Sequence, residues 1–264
     1  MHLSSLGLDI FLANHIQLHS GEYLVRISEK SRGACRGLST SGELRCLIAG
    51  KLEFAATNPS ELPVVGDWCI CGAPFEGEAG EPTVVVQEVL SRRSRISRLA
   101  AGGGEEQVLA ANIDYAFIVT SMNDELNVNR LARYIFSERS SGVKPVIVLS
   151  KADLASDQNA TIDQLTKTMN DVPIISTSSV IDQGLDQLRN LLTPGTTAVF
   201  LGSSGVGTAS LVNKLLGTEQ QVTSAIREAD AKGRHTTSSA GLFILAEGGL
   251  ITGNPRLRER ALVG

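Results

Sequence analysis

Residues 197–211 constrain this chain more than any other segment. Thr197-Ala198-Val199-Phe200-Leu201 reads as a short apolar strand. Gly202-Ser203-Ser204-Gly205-Val206-Gly207 reads as a glycine-rich turn, and Thr208-Ala209-Ser210-Leu211 opens a helix that runs to about Leu216. That is the context a phosphate-binding loop requires. Glycines let successive backbone N–H groups converge on one anion, and the helix N-terminus adds its positive end. Gly202 and Gly207 have the spacing of G-x-x-x-x-G-K-[ST]. The last two places differ, with Thr208 in the lysine position and Ala209 in that of the Mg²⁺-binding hydroxyl. Thr208 or Ser210 offers a neighbouring hydroxyl in a different register. Taken alone, the segment reads equally well as a strand-to-helix turn with no ligand.

A second segment shifts the balance. Val146-Ile147-Val148-Leu149 is an apolar strand that ends in Ser150-Lys151-Ala152-Asp153. A strand-end [NT]-K-x-D reads guanine: the aspartate accepts hydrogen bonds from N1–H and the 2-amino group, and the lysine stem packs on the ring. Ser150 departs from the asparagine that usually braces such a site. Ser176-Thr177-Ser178 follows the strand 173–175, where a short polar turn supports the base. The guanine-reading segment precedes the phosphate loop by about fifty residues, the reverse of the ordinary GTPase order, so the chain is expected to be circularly permuted. Apolar strands at 116–119, 146–149, 173–175 and 198–201 alternate with helical stretches at 128–138, 160–170 and 185–192. That alternation predicts a mainly parallel sheet covered on both faces.

The 264 residues suggest two domains. Apolar residues at 42% and charged residues at 20% exclude a disordered or collagen-like chain. No apolar stretch is long enough to span a bilayer. The N-terminus lacks a basic start and an apolar run, so a cytoplasmic protein is expected. Residues 1–21 read as a lead-in and 22–98 as short strands separated by Gly/Pro turns, an OB-like β-barrel. Residues 99–107 read as a flexible linker, and 108–264 as the permuted GTPase domain. Net charge is 24 − 28 = −4, which argues against nucleic-acid binding along the whole chain. Arg92, Arg93, Arg95 and Arg98 nonetheless crowd together, and two readings stand: a solvated connector, or a contact for a phosphate backbone. Cys35, Cys46, Cys69 and Cys71 all lie in the barrel region and read as buried strand cysteines. No metal ligand is assigned.

With these motifs the chain resembles the circularly permuted GTPases that assist maturation of the bacterial small ribosomal subunit, the ribosome small-subunit-dependent GTPase A family (RsgA or YjeQ). Leu62-Pro63-Val64-Val65-Gly66-Asp67-Trp68 resembles the family's barrel motif, and residues 105–114 resemble its lead into the GTPase domain. Asn129-Arg130-Leu131 resembles part of a family helix, and Lys232-Gly233-Arg234-His235-Thr236-Thr237 its switch I. Gly253-Asn254-Pro255-Arg256 stands where the family has D-[TS]-P-G, so Gly253 replaces a metal-linked aspartate and Arg256 a switch glycine.

The resemblance implies an α/β P-loop GTPase domain behind an OB-like barrel. It implies GTP or GDP held by Ser150, Lys151, Ala152, Asp153 and Ser176, and by the loop Gly202, Ser203, Ser204, Gly205, Val206, Gly207, Thr208, Ala209 and Ser210. It also implies the small ribosomal subunit and its rRNA as partners, with no membrane and no DNA, and a monomer. His235 is the candidate catalytic residue, weighed against a plain surface histidine. The family's Cys/His zinc segment has no counterpart before Gly264, so zinc is not expected and the domain reads as truncated. The losses at 208, 209, 253 and 256 all serve the β- and γ-phosphates and Mg²⁺. They put a bound Mg²⁺ in doubt and lead us to expect impaired hydrolysis. Two rivals stand beside this reading: a non-catalytic RNA- or ribosome-binding module on a pseudo-GTPase scaffold, and a working GTPase with substitute ligands.

Overall fold

The structure is a computed structural model that describes residues 2–9, 13, 16–31, 34–99, 106–122, 126–169, 171–217 and 240–253. Five strands close a barrel: β1 (Tyr23–Ser31), β2 (Ala34–Ser39), β3 (Gly42–Ile48), β4 (Trp68–Cys71) and β6 (Pro82–Val89). β1 pairs β2, β2 pairs β3, β3 pairs β6 in parallel, β6 pairs β4, and β4 returns to β1. The short β5 (Phe75–Glu76) adds to β6. Period-two alternation decides what the barrel encloses. Along β3, Leu44 and Cys46 point inward while Glu43 faces water. Val25, Ile27, Val84, Val86 and all four cysteines fill the interior. Burial pushes the Cys46 and Cys69 thiols upward and that of Cys71 to about 12, so they stay protonated apolar filler.

The α/β part contains β9 (Tyr115–Ser121), α2 (Val128–Ser140), β10 (Lys144–Ser150), α3 (Gln158–Thr168), β11 (Ile174–Ser176), α4 (Leu185–Leu191), β12 (Thr197–Gly202), α5 (Thr208–Leu216), β13 (Ala240–Ile244) and β14 (Leu250–Gly253); α1 (Gly50–Ala55) belongs to the barrel. The sheet runs β11-β10-β9-β12-β14-β13. Its first five strands are parallel and β13 is antiparallel. Both faces are buried. Ala116 and Ile118 of β9 pack with Leu131, Ile135 and Leu165 on one side. Phe117 and Val119 pack with Leu188, Val206 and Leu211 on the other. Asn127 and Asp157 cap α2 and α3 by accepting from Arg130 and Ala160 N–H.

β13 also pairs antiparallel with barrel strand β1, Glu29 opposite Gly241 and Lys30 opposite Ala240, so barrel and α/β sheet share one continuous hydrogen-bonded ribbon. A buried cation seals the seam. The Arg26 guanidinium donates to the carbonyls of Leu6, Gly66 (3.3 Å) and Asn112 (3.0 Å) and lies over the Trp68 ring at 5.8 Å. Burial lowers its pKa to about 10, which still leaves it charged at neutral pH. Gly66 has φ +90°, and a Cβ there would stand 2.1 Å from the Ala111 carbonyl oxygen. Only glycine permits that approach.

Two expectations change with the fold. β7 (Arg95–Leu99) lies outside the barrel and pairs antiparallel with β8 (Glu106–Ala111), so the segment expected as a linker joins two paired strands. The arginine cluster is a clasp rather than a free basic patch. Arg92 grips the fully buried Asp67 through two 2.8 Å contacts and also donates to the Ser60 and Leu62 carbonyls. Burial pushes the Asp67 carboxyl upward, and the Arg92 guanidinium pulls against that shift. Arg93 pairs with Asp9 and Asp114, Arg95 with Glu106, and Arg98 donates to Gln107. Each charge is answered within the chain, which a count of basic residues could not register.

Removing one partner of a buried pair strands the other charge and costs about 3–5 kcal/mol, whereas an exposed pair contributes about 0–1 kcal/mol. Arg92→Ala should therefore lose about 3–5 kcal/mol in urea unfolding followed by fluorescence of Trp68, the single tryptophan. Arg95→Ala, with a half-exposed pair, should lose less than about 1 kcal/mol. Equal small losses for the two variants would mean that Arg92 does not act as a structural clasp.

Candidate functional site

The carboxyl ends of β9, β10, β12 and β14 meet at one edge of the sheet, where open α/β sheets bind ligands. β12 delivers the glycine loop to that edge. A Cβ on Gly202 would stand 2.8 Å from the Val119 carbonyl oxygen, so the first glycine is required by contact with β9. Gly205 and Gly207 have φ +83° and +95°. Left-handed backbone at these two places turns the loop back on itself and aims its N–H groups into the concavity. Gly207 is the N-cap of α5, and Val206 is buried beneath the loop. Ser203 is half-buried, while Ser204 and Ser210 face water.

β10 delivers the second segment, and one side chain ties it to the loop. Ser150 is buried and its hydroxyl lies 2.5 Å from the Val206 carbonyl and 3.2 Å from that of Thr120. A hydroxyl is shorter than the expected asparagine, yet it still couples the two motifs. Lys151 takes left-handed backbone with φ 56° and starts a tight turn that points the Asp153 carboxylate away from the core. The turn after β11 supports it. Thr177 N–H donates to the Leu149 carbonyl, and Ala152 N–H donates to the Thr177 carbonyl. Ser178 donates its hydroxyl to Asp153 Oδ1 at 2.5 Å while accepting from Val180 and Ile181 N–H.

The geometry thus brings Ser150, Lys151, Ala152, Asp153 and the 176–178 turn beside Gly202–Ser210. It gives Ser176 a different part from the expected one. Its hydroxyl reaches Gln158, and Ser178 is the residue on the aspartate. Gln158, which also donates to the Ala152 carbonyl, and Gln183 complete the support. Neither was legible in advance, because they come from α3 and from the turn before α4. His235, with the rest of the expected switch I segment, lies outside the described residues, as do Pro255 and Arg256.

Guanine fits these residues: a carboxylate fixed by a hydroxyl, beside a lysine, can accept from adjacent N–H donors on the base. Phosphate fits the backbone of the loop. Mg²⁺ does not fit. Ala209 carries no oxygen and Gly253 no side chain, and among the described residues no group of three or more His, Cys, Asp or Glu is placed to hold a metal. Thr208 Oγ1 is buried without a hydrogen-bond partner and tucks under the loop, 3.1 Å from where a Gly202 Cβ would stand.

The family model for the RsgA GTPase matches residues 89–262. The chain belongs to the RsgA GTPase family. A small ribosomal subunit biogenesis GTPase RsgA from Methanosarcina acetivorans is 41% identical over 91% of this chain and 64% of its own length. An RsgA 2 from Lactiplantibacillus plantarum is 36% identical over 98% of this chain and 72% of its own length. This RsgA-family chain therefore spans about two thirds to three quarters of those two relatives. Among solved structures, YjeQ from Thermotoga maritima superposes with a TM-score of 0.65 at 20% identity, covering 88% of this chain and 73% of that one. YloQ, described as a circularly permuted GTPase, superposes with a TM-score of 0.59 at 21% identity, covering 91% and 74%. The fold is that of the permuted GTPases, with a closed five-stranded barrel ahead of the α/β domain. Among the described residues no helix is long and apolar enough to cross a membrane.

A hydrogen bond to a charged group contributes about 1.5–3 kcal/mol. Ser178→Ala should therefore weaken guanosine diphosphate binding roughly tenfold in calorimetry. The melting temperature should move little, because Asp153 stays solvated. Unchanged affinity would dissociate Ser178 from the base site.

Proposed function

We propose that this chain is a guanine-nucleotide-binding factor in assembly of the small ribosomal subunit, acting in the cytoplasm as a monomer that contacts rRNA, with GTP hydrolysis impaired. One observation carries the nucleotide half: the Asp153 carboxylate, held by Ser178, stands on the same strand end that Ser150 ties to the glycine loop. The ribosomal half rests on family membership and on what the relatives are named for. The barrel is the RNA-facing part in this reading, although Arg92 is spent inside it and only the more exposed arginines remain for phosphate contacts. Impaired hydrolysis follows from residue identity. Lysine, hydroxyl and carboxylate at positions 208, 209 and 253 would all neutralise charge that develops on transferring phosphoryl oxygens, and a single lost preorganised donor costs about 10²–10³ in rate.

A second reading keeps the ribosome and discards the nucleotide, leaving a binding module on a pseudo-GTPase scaffold. The same three substitutions favour it. Affinity separates the two. GDP should bind and ADP should not, since adenine lacks the adjacent N–H donors that Asp153 reads, and Asp153→Asn should relax the preference. Equal affinities for GDP and ADP in calorimetry would sink the nucleotide reading. Co-sedimentation with small subunits that survives the absence of any nucleotide binding would establish the second.

Restoring the missing groups is a further test. Thr208→Lys, Ala209→Ser and Gly253→Asp together should create Mg²⁺-dependent GTP affinity and measurable phosphate release. Each alone should do little, because such residues act as one unit. The third change has room, since a Cβ on Gly253 would meet only Phe243 Cε2, at 3.4 Å. A triple variant that folds yet gains no Mg²⁺ dependence would contradict the degenerate-site account.

A further inference from the structure

We infer that the nucleotide site works without a divalent cation and gives the γ-phosphate no advantage, so that its ligand class is the guanosine diphosphate, with the Thr208 hydroxyl donating to the phosphate in the lysine's stead. This deepens the nucleotide reading above and rests on it. The donors that survive in the loop are backbone N–H groups, set by the left-handed Gly205 and Gly207 and by the first turn of the nine-residue α5. They amount to the fractional positive charge of one helix end, about half a unit. That suits the phosphates nearest the helix. A γ-phosphate brings one more negative charge and calls for a full cation to offset it. The residue types at 208, 209 and 253 supply neither the cation nor oxygen ligands for one.

Neighbouring described cations are committed elsewhere. Lys214 pairs with Asp182, and Arg189 pairs with Asp186 and Glu247. Lys151 belongs to the base side of the site. Thr208 is the remaining side-chain donor under the loop, and its buried Oγ1 lacks any protein partner. A buried polar atom left in that state calls for a partner from outside the chain. A phosphate oxygen at the concavity is such a partner.

The test is calorimetry of the full chain with guanosine, GMP, GDP and GTP, each in magnesium chloride and in EDTA. GDP and GTP should bind within about threefold of each other, and EDTA should change either by less than about threefold. Thr208→Val should weaken GDP roughly five- to tenfold, the size of one neutral hydrogen bond. Guanosine should bind this variant as it does the parent, and Thr208→Ser should restore GDP affinity. Magnesium that raises GTP affinity tenfold or more would overturn the inference and leave the guanine reading intact. So would a Thr208→Val variant that holds GDP as tightly as the parent. Failure of guanosine and GDP alike to bind would overturn the guanine reading and this inference with it.

Discussion

The fold turns on one buried guanidinium. Arg26 draws together three carbonyls that belong to different parts of the chain: Leu6 from the lead-in, Gly66 from the barrel and Asn112 from the start of the α/β domain. Taking a charge out of water is costly, and only such a full set of acceptors, with the Trp68 ring beneath, makes it tolerable. The acceptors are in turn fixed by their own neighbours. Asn112 donates to the Gly66 carbonyl and accepts from Arg93 N–H, and Gly66 can approach Ala111 because it has no side chain. Next to Gly66 in the chain, Asp67 repeats the arrangement with a paired charge, that of Arg92. Barrel and GTPase domain thus meet through polar groups that are satisfied only when both are in place.

That seam has a consequence for communication. β13 follows the segment that contains the family's switch I motif, and it hydrogen-bonds to barrel strand β1. β14, its other neighbour, ends at Gly253, where the second phosphate-sensing motif would begin. A displacement of either strand end would be felt by the barrel through backbone hydrogen bonds rather than through side chains, and backbone pairing is insensitive to the substitutions seen at 208, 209 and 253.

The same contrast explains how the phosphate loop keeps its shape after losing its chemistry. Its form is set by Gly202 against Val119, by two left-handed glycines, and by the Ser150 hydroxyl on the Val206 carbonyl. None of these contacts involves the lysine or the metal-binding hydroxyl. Packing of Val206 and Leu211 into the core holds the helix start in place independently of any ligand. Architecture and electrostatic function are carried by separate atoms, so one can decay while the other persists.

Much of this was legible from residue order. The strands at 116–119, 146–149 and 198–201, the helices between them, the glycine loop and the S-K-A-D segment follow from period, turn chemistry and spacing, which are local properties. The reversed order of the two motifs pointed to permutation, and the parallel sheet agrees. Other features were decided only by tertiary structure. Arg92 reads as a surface cation until Asp67, twenty-five positions away, is folded against it. Arg95–Leu99 reads as the end of a barrel until β8 arrives to pair with it. Ser178, rather than Ser176, holds Asp153 because a two-residue shift along an extended turn changes which hydroxyl faces the carboxylate. Composition and periodicity report what a residue prefers. Which buried charge is answered, and by whom, depends on long-range contacts that form only when the chain has folded.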